Sequence, residues 1–277
     1  MQGPGAVPPE LNACSGLVRR MTRHDEGVVS PKKTGRDPSV GSDVIMVMTR
    51  PALNCIARKI PARRVSSIGS HLFEIYESGS QSGRPVHLAG PFFGSPHAVA
   101  GLEKLIALGA RRVLALGWCG ALDPGFSIGD VIIPSRAFSE EGTSRLYSLS
   151  DNFPSPDADL AALVRKALDG KGLATAQGPV WTTDGLYRET PSKIRAYRSM
   201  GALAVEMEMS ALMGVAKFRS VALAALLVVS DILRPTGWKP GFSDRRLMAS
   251  CEELGTFLVN FACETAGTNS RRASLDD

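Results

Sequence analysis

A chain of 277 residues with 44% hydrophobic and 21% charged positions is long enough for one generous α/β domain or two small ones, with the make-up of an ordinary globular protein. Its longest apolar run, residues 221–229, falls far short of the roughly 20 residues needed to cross a bilayer, so a buried strand is expected there and no membrane span. The formal charge of +5 and pI near 9.1 come from basic pairs scattered along the chain with no aromatics interleaved, which fits solvated surface and not nucleic-acid binding.

Five cysteines, Cys14, Cys55, Cys119, Cys251 and Cys263, are widely spaced and form no CxxC. They give neither a disulfide framework nor a zinc site, and fit a reducing cytoplasm. The N-terminus shows no apolar segment followed by a small-residue cleavage site, which argues against secretion. Residues 1–42, rich in Pro, Gly and charge without apolar periodicity, read as a disordered extension, and 267–277 as a flexible tail, leaving one domain over 43–266.

Within that domain strands and helices alternate. Residues 44–48 (VIMVM) fit a buried strand, 53–59 a helix, and 72–76 and 86–89 two more strands. A helix is expected over 97–108, with Ser95 as cap, Pro96 opening it and Gly109 closing it. Then come a strand over 112–116, a turn-rich loop over 117–125 and a strand over 131–134. Residues 156–168 read as a helix closed by Gly170, 173–180 as a strand, and 191–199 as a helix capped by Thr190. A helix over 209–218, the apolar strand 221–229 and a final helix over 244–264 complete the order. Apolar residues on both faces of 221–229 place it inside a mixed or parallel sheet, and the alternation argues for one α/β domain with helices on both faces.

Three segments follow expected strands, where ligand sites gather in open α/β sheets. In Gly117-Trp118-Cys119-Gly120-Ala121-Leu122 two glycines let the backbone approach an anion or sugar oxygen, as they would also simply punctuate a turn. In Val205-Glu206-Met207-Glu208, expected at the start of a helix, the carboxylates either complement the helix dipole or accept hydrogen bonds from the vicinal hydroxyls of a ribose, with Met207 against its apolar face. Ser230-Asp231 closes the most apolar strand. There Asp231 either caps the next turn or, dehydrated, holds a proton it can donate.

Taken together, and with Ile128-Gly129-Asp130-Val131, Glu141-Gly142-Thr143-Ser144 and the run from Thr182 to Glu189, these segments resemble the nucleoside phosphorylase and uridine phosphorylase family over roughly residues 43–264. The resemblance implies a three-layer α/β/α domain around a central mixed sheet, cleavage of an N-glycosidic bond, and a homo-oligomer such as a dimer or hexamer. It also assigns roles. Glu208 would hold the ribose hydroxyls, Met207 line the sugar and Glu206 support the site; Leu186 and Tyr187 would sit against the base, and Asp231 would protonate or hydrogen-bond it. Trp118, Cys119, Gly120 and Ser230 complete the expected substrate contacts, and Arg188 is a candidate pyrimidine contact. Asp231 without an evident Gln partner favours a purine.

The nucleophile side departs from the family pattern. Where phosphorolytic members carry a Gly-Asp-Pro-x-Arg loop, this chain has Thr49-Arg50-Pro51, and the central Arg and Ser or Thr are replaced by Ala115 and Trp118. Arg50 and the N–H groups near Gly117 are the remaining candidate phosphate ligands. Hydrolytic relatives, the methylthioadenosine/adenosylhomocysteine nucleosidases, use a glutamate after the first strand, and none occurs between Thr49 and Lys59. No metal or cofactor is expected, with phosphate as candidate co-substrate. His71, His87, His97 and Cys119 read as packing or surface residues, and Arg245 and Arg246 as an exposed helix face with Asp231 within reach.

Overall fold

The computed structural model describes residues 27–35, 37–60, 62–68, 72–78, 85–147, 153–171 and 175–265. His71, the tail 267–277 and most of the N-terminal extension lie outside these residues. The described part of the extension is tied to the domain just before the first strand: Val40 is buried and its N–H donates to Leu108 O, and Asp37 pairs with Lys104 at 2.7 Å. The boundary at residue 42 therefore leaves packed residues outside it.

The strands are β1 (Asp43–Val47), β2 (Ala62–Ile68), β3 (Phe73–Ser78), β4 (His87–Gly90), β5 (Arg112–Ala121), β6 (Val131–Glu140), β7 (Thr175–Thr183), β8 (Ala204–Glu206), β9 (Ala222–Arg234) and β10 (Gly237–Pro240). The helices are α1 (Arg50–Lys59), α2 (Ser95–Leu108), α3 (Ala158–Asp169), α4 (Pro191–Ser199), α5 (Met209–Phe218) and α6 (Arg245–Thr265). The strands join in one mixed sheet in the order β10-β9-β6-β7-β8-β5-β1-β4-β3-β2, and β9 also pairs with β5. That extra pairing closes β5, β9, β6, β7 and β8 into a ring. Helices pack on the sheet in pairs, α1 with α6 and α2 with α5, the α/β arrangement expected from the alternation.

Burial explains the ring. From Leu223 to Val229 every residue of β9 is buried: β5 pairs with it from Ala222 to Ile232, β6 meets its other edge at Leu227 and Val228, and α3, α5 and α6 pack against it. Each such Leu or Val contributes roughly 1.5–3 kcal/mol by leaving water. Several boundaries differ from those expected: β6 runs on to Glu140, β9 to Arg234, and α1 begins at Arg50, and two further differences bear on the site. β5 runs on through Gly117-Trp118-Cys119-Gly120, which is strand and not loop, because β9 and β8 pair with it there (Cys119 with Val229, Gly120 with Val205). The α2 cap is Gly94 and not Ser95: Gly94 has φ +78, open to glycine without strain, and Ser95 is the first helical residue. Thr190 does cap α4, its hydroxyl accepting from Lys193 N.

Candidate active site

The site is assembled where β8 ends and α5 begins. Glu206 is the last residue of β8 and Glu208 the cap residue of α5, so the two carboxylates bracket a strand-to-helix turn and do not enter a helix already formed. Glu206 does the capping. Its Oε2 accepts from Glu208 N and Met209 N, each at 2.7 Å, and its Oε1 from the Thr182 hydroxyl. Glu208 is thereby free to turn elsewhere. Its Oε1 accepts from Gly94 N at 2.6 Å, and Ser95 Oγ donates to Met207 O at 2.8 Å, so the start of α2 is clamped to the start of α5.

Both carboxylates are buried, Glu208 at 5% exposure. Burial first, and the Glu206 charge second, push the Glu208 carboxyl up. Burial pushes Glu206 up too, against the donors from Thr182, Glu208 and Met209 that favour its charged form. Glu206, with three donors, is the member that keeps the charge, and Glu208 the one poised to take a proton or a new donor. Vicinal hydroxyls are such donors.

A third buried carboxylate supports the turn through Ser210 of α5. Glu141 accepts from Ser139 Oγ (2.9 Å), Thr143 N (2.6 Å), Ser144 N (3.1 Å), Ser144 Oγ and Ser210 Oγ (3.1 Å). Burial alone would push it up, but the donors, those of Ser144 foremost, outweigh burial and hold it below the usual carboxylate range. Sequence reasoning quoted Glu141 without giving it work; Thr182, Gly94 and Ser95 were likewise missed as members of the site.

Asp231 lies near the end of β9, beside Gly120 of β5. It is half-buried and not enclosed, which corrects the expectation of a dehydrated group. Ser230 Oγ donates to Oδ1 at 2.7 Å, and the Trp238 indole N–H, from the short strand β10, donates to Oδ2 at 2.8 Å. Trp238 was not foreseen. Cys119 is buried between the two halves of the site: its carbonyl accepts from Ser230 Oγ, and burial, then the Asp231 and Glu206 charges, hold its thiol well up and unreactive.

The remaining expected contacts separate. Leu186 and Arg188 are exposed, and Tyr187 is 95% exposed, so in this chain none is packed in an enclosed base pocket. Trp118 turns toward α6, donating to Cys251 Sγ at 3.1 Å and stacking on Phe242 at 6.1 Å. Arg50 is paired with Glu74, which also accepts from Arg64 Nη1 (3.1 Å) and the Tyr76 hydroxyl (2.9 Å). Gly117 is buried in β5 among Leu227 and Met48 side chains. The hydroxyl of Thr49, next to Arg50, is buried without a partner among the described residues. Arg246 pairs with Asp244 at 2.7 Å and not with Asp231. His87 is a packing residue, its Nδ1 accepting from Gly41 N.

Two open clefts lie away from these carboxylates. One of about 410 Å³ is lined by Asp123, Arg195 and Arg198, the other of about 420 Å³ by Lys59, Glu252 and Asn260. Neither gathers buried acceptors and backbone donors as the Glu206–Glu208 turn does, so that turn is the candidate site. Among the described residues no cluster of His, Cys, Asp and Glu is arranged to hold a metal, and no helix is long and apolar enough to cross a membrane.

A mixed sheet closed into a ring, with acidic residues gathered where β8 and β9 end, defines an α/β protein with its candidate site at those strand ends. Residues 44–262 match the phosphorylase superfamily, and the chain belongs to it. It is 34% identical over 161 residues to a purine nucleoside phosphorylase of Bacillus cereus, a match spanning 56% of this chain and 66% of that protein. It is 26% identical over 170 residues to a guanosine phosphorylase of Halorubrum lacusprofundi, spanning 61% and 70%. In fold it is similar to the purine nucleoside phosphorylase of Toxoplasma gondii solved with immucillin-H, with a TM-score of 0.71 and 22% identity over 85% of this chain and 93% of that one.

Proposed function

We propose that this chain cleaves the N-glycosidic bond of a purine or purine-like nucleoside and transfers the ribosyl group to phosphate. Glu208 accepts hydrogen bonds from the ribose 2′- and 3′-hydroxyls, Glu206 fixes the turn that presents it, and Met207 packs on the sugar. Asp231, with Ser230 and Trp238, faces the base. The observation that carries this reading is the division of labour within the buried pair: Glu206 takes three donors from its own chain, one of them a side chain, whereas Glu208 takes backbone donors alone, the Gly94 N–H on Oε1 and that of Met207, and keeps acceptor capacity for a ligand. The activities named for the two sequence relatives support a purine base.

The chemistry fits this placement. As the C1′–N bond breaks, its electron pair passes to the base and positive charge develops on the sugar. A group that protonates or hydrogen-bonds the base stabilises the first change, and general acids of this kind are worth about 10² to 10⁴ in rate. The nucleophile's oxygen then forms the new bond to C1′. No metal or cofactor is required for these steps. We place the enzyme in the cytoplasm as a homo-oligomer, a dimer or hexamer, working in nucleoside catabolism and purine salvage.

One observation favours a second reading, hydrolysis. Arg50, the candidate phosphate ligand, already shares Glu74 with Arg64, so an incoming phosphate must compete with an internal carboxylate. Base release from a nucleoside panel, in phosphate and in phosphate-free buffer, tests both. Ribose 1-phosphate formed only with phosphate supports transfer, free ribose at equal rate supports hydrolysis, and binding without any base release overturns both.

A further inference from the structure

From the sequence His97 reads as a packing or surface residue, yet both its ring nitrogens are engaged at the edge of the candidate site. Nδ1 accepts from Phe93 N at 3.2 Å, and Nε2 lies 3.0 Å from Leu72 O, just before β3. A carbonyl only accepts and an N–H only donates, so the ring must be the neutral tautomer with its proton on Nε2. Its face is steadied by Phe92, with ring centroids 5.5 Å apart in an edge contact.

His97 is the third helical residue of α2 after the Gly94 cap. In a capping box the side chain at that position takes the N–H of the cap residue itself. Here the imidazole takes the N–H of Phe93, one residue earlier, and the Gly94 N–H is left for Glu208. Gly94 has φ +78, which turns its N–H away from the helix axis toward α5, and Ala98 N closes on Gly94 O at 3.0 Å.

We infer that His97 is a positioning residue for the sugar site: by bridging Leu72 O and Phe93 N it fixes the turn 92–94, and so aims the Gly94 N–H at the carboxylate that receives the ribose diol. This rests on the reading of Glu208 proposed above. Without the bridge, Glu208 loses its fixed donor and swings among orientations, so diol recognition suffers while base recognition at Asp231 does not.

The test compares His97→Ala with the wild type on a ribonucleoside and on its 2′,3′-dideoxy analogue, alongside hydrogen exchange of the Gly94 amide. In the variant KM for the ribonucleoside rises about five-fold, the worth of one neutral hydrogen bond, with kcat within about two-fold, and KM for the dideoxy analogue is unchanged. The Gly94 amide exchanges faster. His97→Asn, whose Oδ1 can stand where Nδ1 stood, restores most of the ribonucleoside KM and slows the exchange again. Equal rises in KM for both substrates, or Gly94 exchange at the wild-type rate, overturn the inference. A wild type that cleaves no nucleoside sinks the functional reading instead, and Gly94 exchange then decides the role of His97 alone.

Discussion

Gly94 and Glu208 stand 114 positions apart in the chain, and the N–H of one donates to the carboxylate of the other at 2.6 Å. This single bond joins the cap of α2 to the cap of α5 and sets the direction in which the buried carboxyl faces. Glu208→Ala is expected to lower kcat/KM for ribonucleosides about 10-fold or more, since it removes two hydrogen bonds to the diol, each worth roughly 0.5–1.5 kcal/mol to an uncharged acceptor. The fold survives, because Glu206 and not Glu208 caps α5. Steady-state kinetics and a thermal melt check this; unchanged substrate affinity in a folded variant rules out Glu208 as the sugar ligand.

Asp231→Asn separates base from sugar. It keeps the side chain's shape but cannot supply a proton, so purine nucleosides should lose far more rate than pyrimidine ones. Trp238→Phe removes the donor at 2.8 Å from Oδ2 and should give a smaller loss of the same pattern. Rates on matched purine and pyrimidine nucleosides decide it, and equal losses for the two bases contradict a base-facing Asp231.

Much of this was legible in the sequence, and the gaps have physical causes. The bounds of α4 and α5 follow from local signals, Thr190 and Pro191 at one start and a largely apolar stretch from Met209 at the other. β5 was cut short at Leu116 because Gly117 and Gly120 resemble turn residues, whereas pairing with β8 and β9 overrides that preference. β2 carries Arg63, Arg64, Ser66 and Ser67, with no apolar period, and exists through its pairing with β3. The motif around Glu206 and Glu208 pointed to the turn where the structure gathers its buried carboxylates. The donor at Gly94 did not show, since a backbone N–H leaves no residue type behind and its partner is remote.

Stability should depend on pH through Glu189. Burial, then the charges of Asp231 and Glu140, push its carboxyl from the ordinary 4.5 up to about 7. Its folded state binds a proton more tightly than the unfolded chain does. The contribution is therefore fully present below about pH 4.5 and is lost as pH rises through about 7. Glu189→Gln, always neutral, should flatten that stretch of the stability curve. Urea denaturation of both proteins between pH 4.5 and 8 reads it, and parallel curves would show that Glu189 does not titrate in this window.

The Arg50–Glu74 pair makes the acceptor testable by substitution. Glu74→Gln leaves Arg50 and Arg64 without their shared carboxylate, two cations facing the segment that carries the unpartnered Thr49 hydroxyl. If that carboxylate competes with phosphate, the variant needs several-fold less phosphate for half-maximal base release, or gains a phosphate stimulation the wild type lacks. A phosphate response identical to wild type would place the acceptor elsewhere.

Gly101, in the middle of α2, sets helix propensity against packing. Alanine there favours the helix by about 1 kcal/mol, but its Cβ would sit 2.1 Å from Cε1 of Phe92. That ring is buried against Phe73, with centroids 5.1 Å apart, and the backbone N–H of Phe92 donates to Met48 O, so the ring cannot yield without moving the turn that carries Phe93 and Gly94. Overpacking of this kind costs about 1–3 kcal/mol and should win. Gly101→Ala is expected to melt several degrees lower and to raise KM for ribonucleosides, whereas Ala100→Gly, at an exposed position of the same helix, loses only propensity and leaves KM alone. If Gly101→Ala instead melts higher at wild-type KM, Phe92 is free to shift, and the turn that aims Gly94 is not held by its ring.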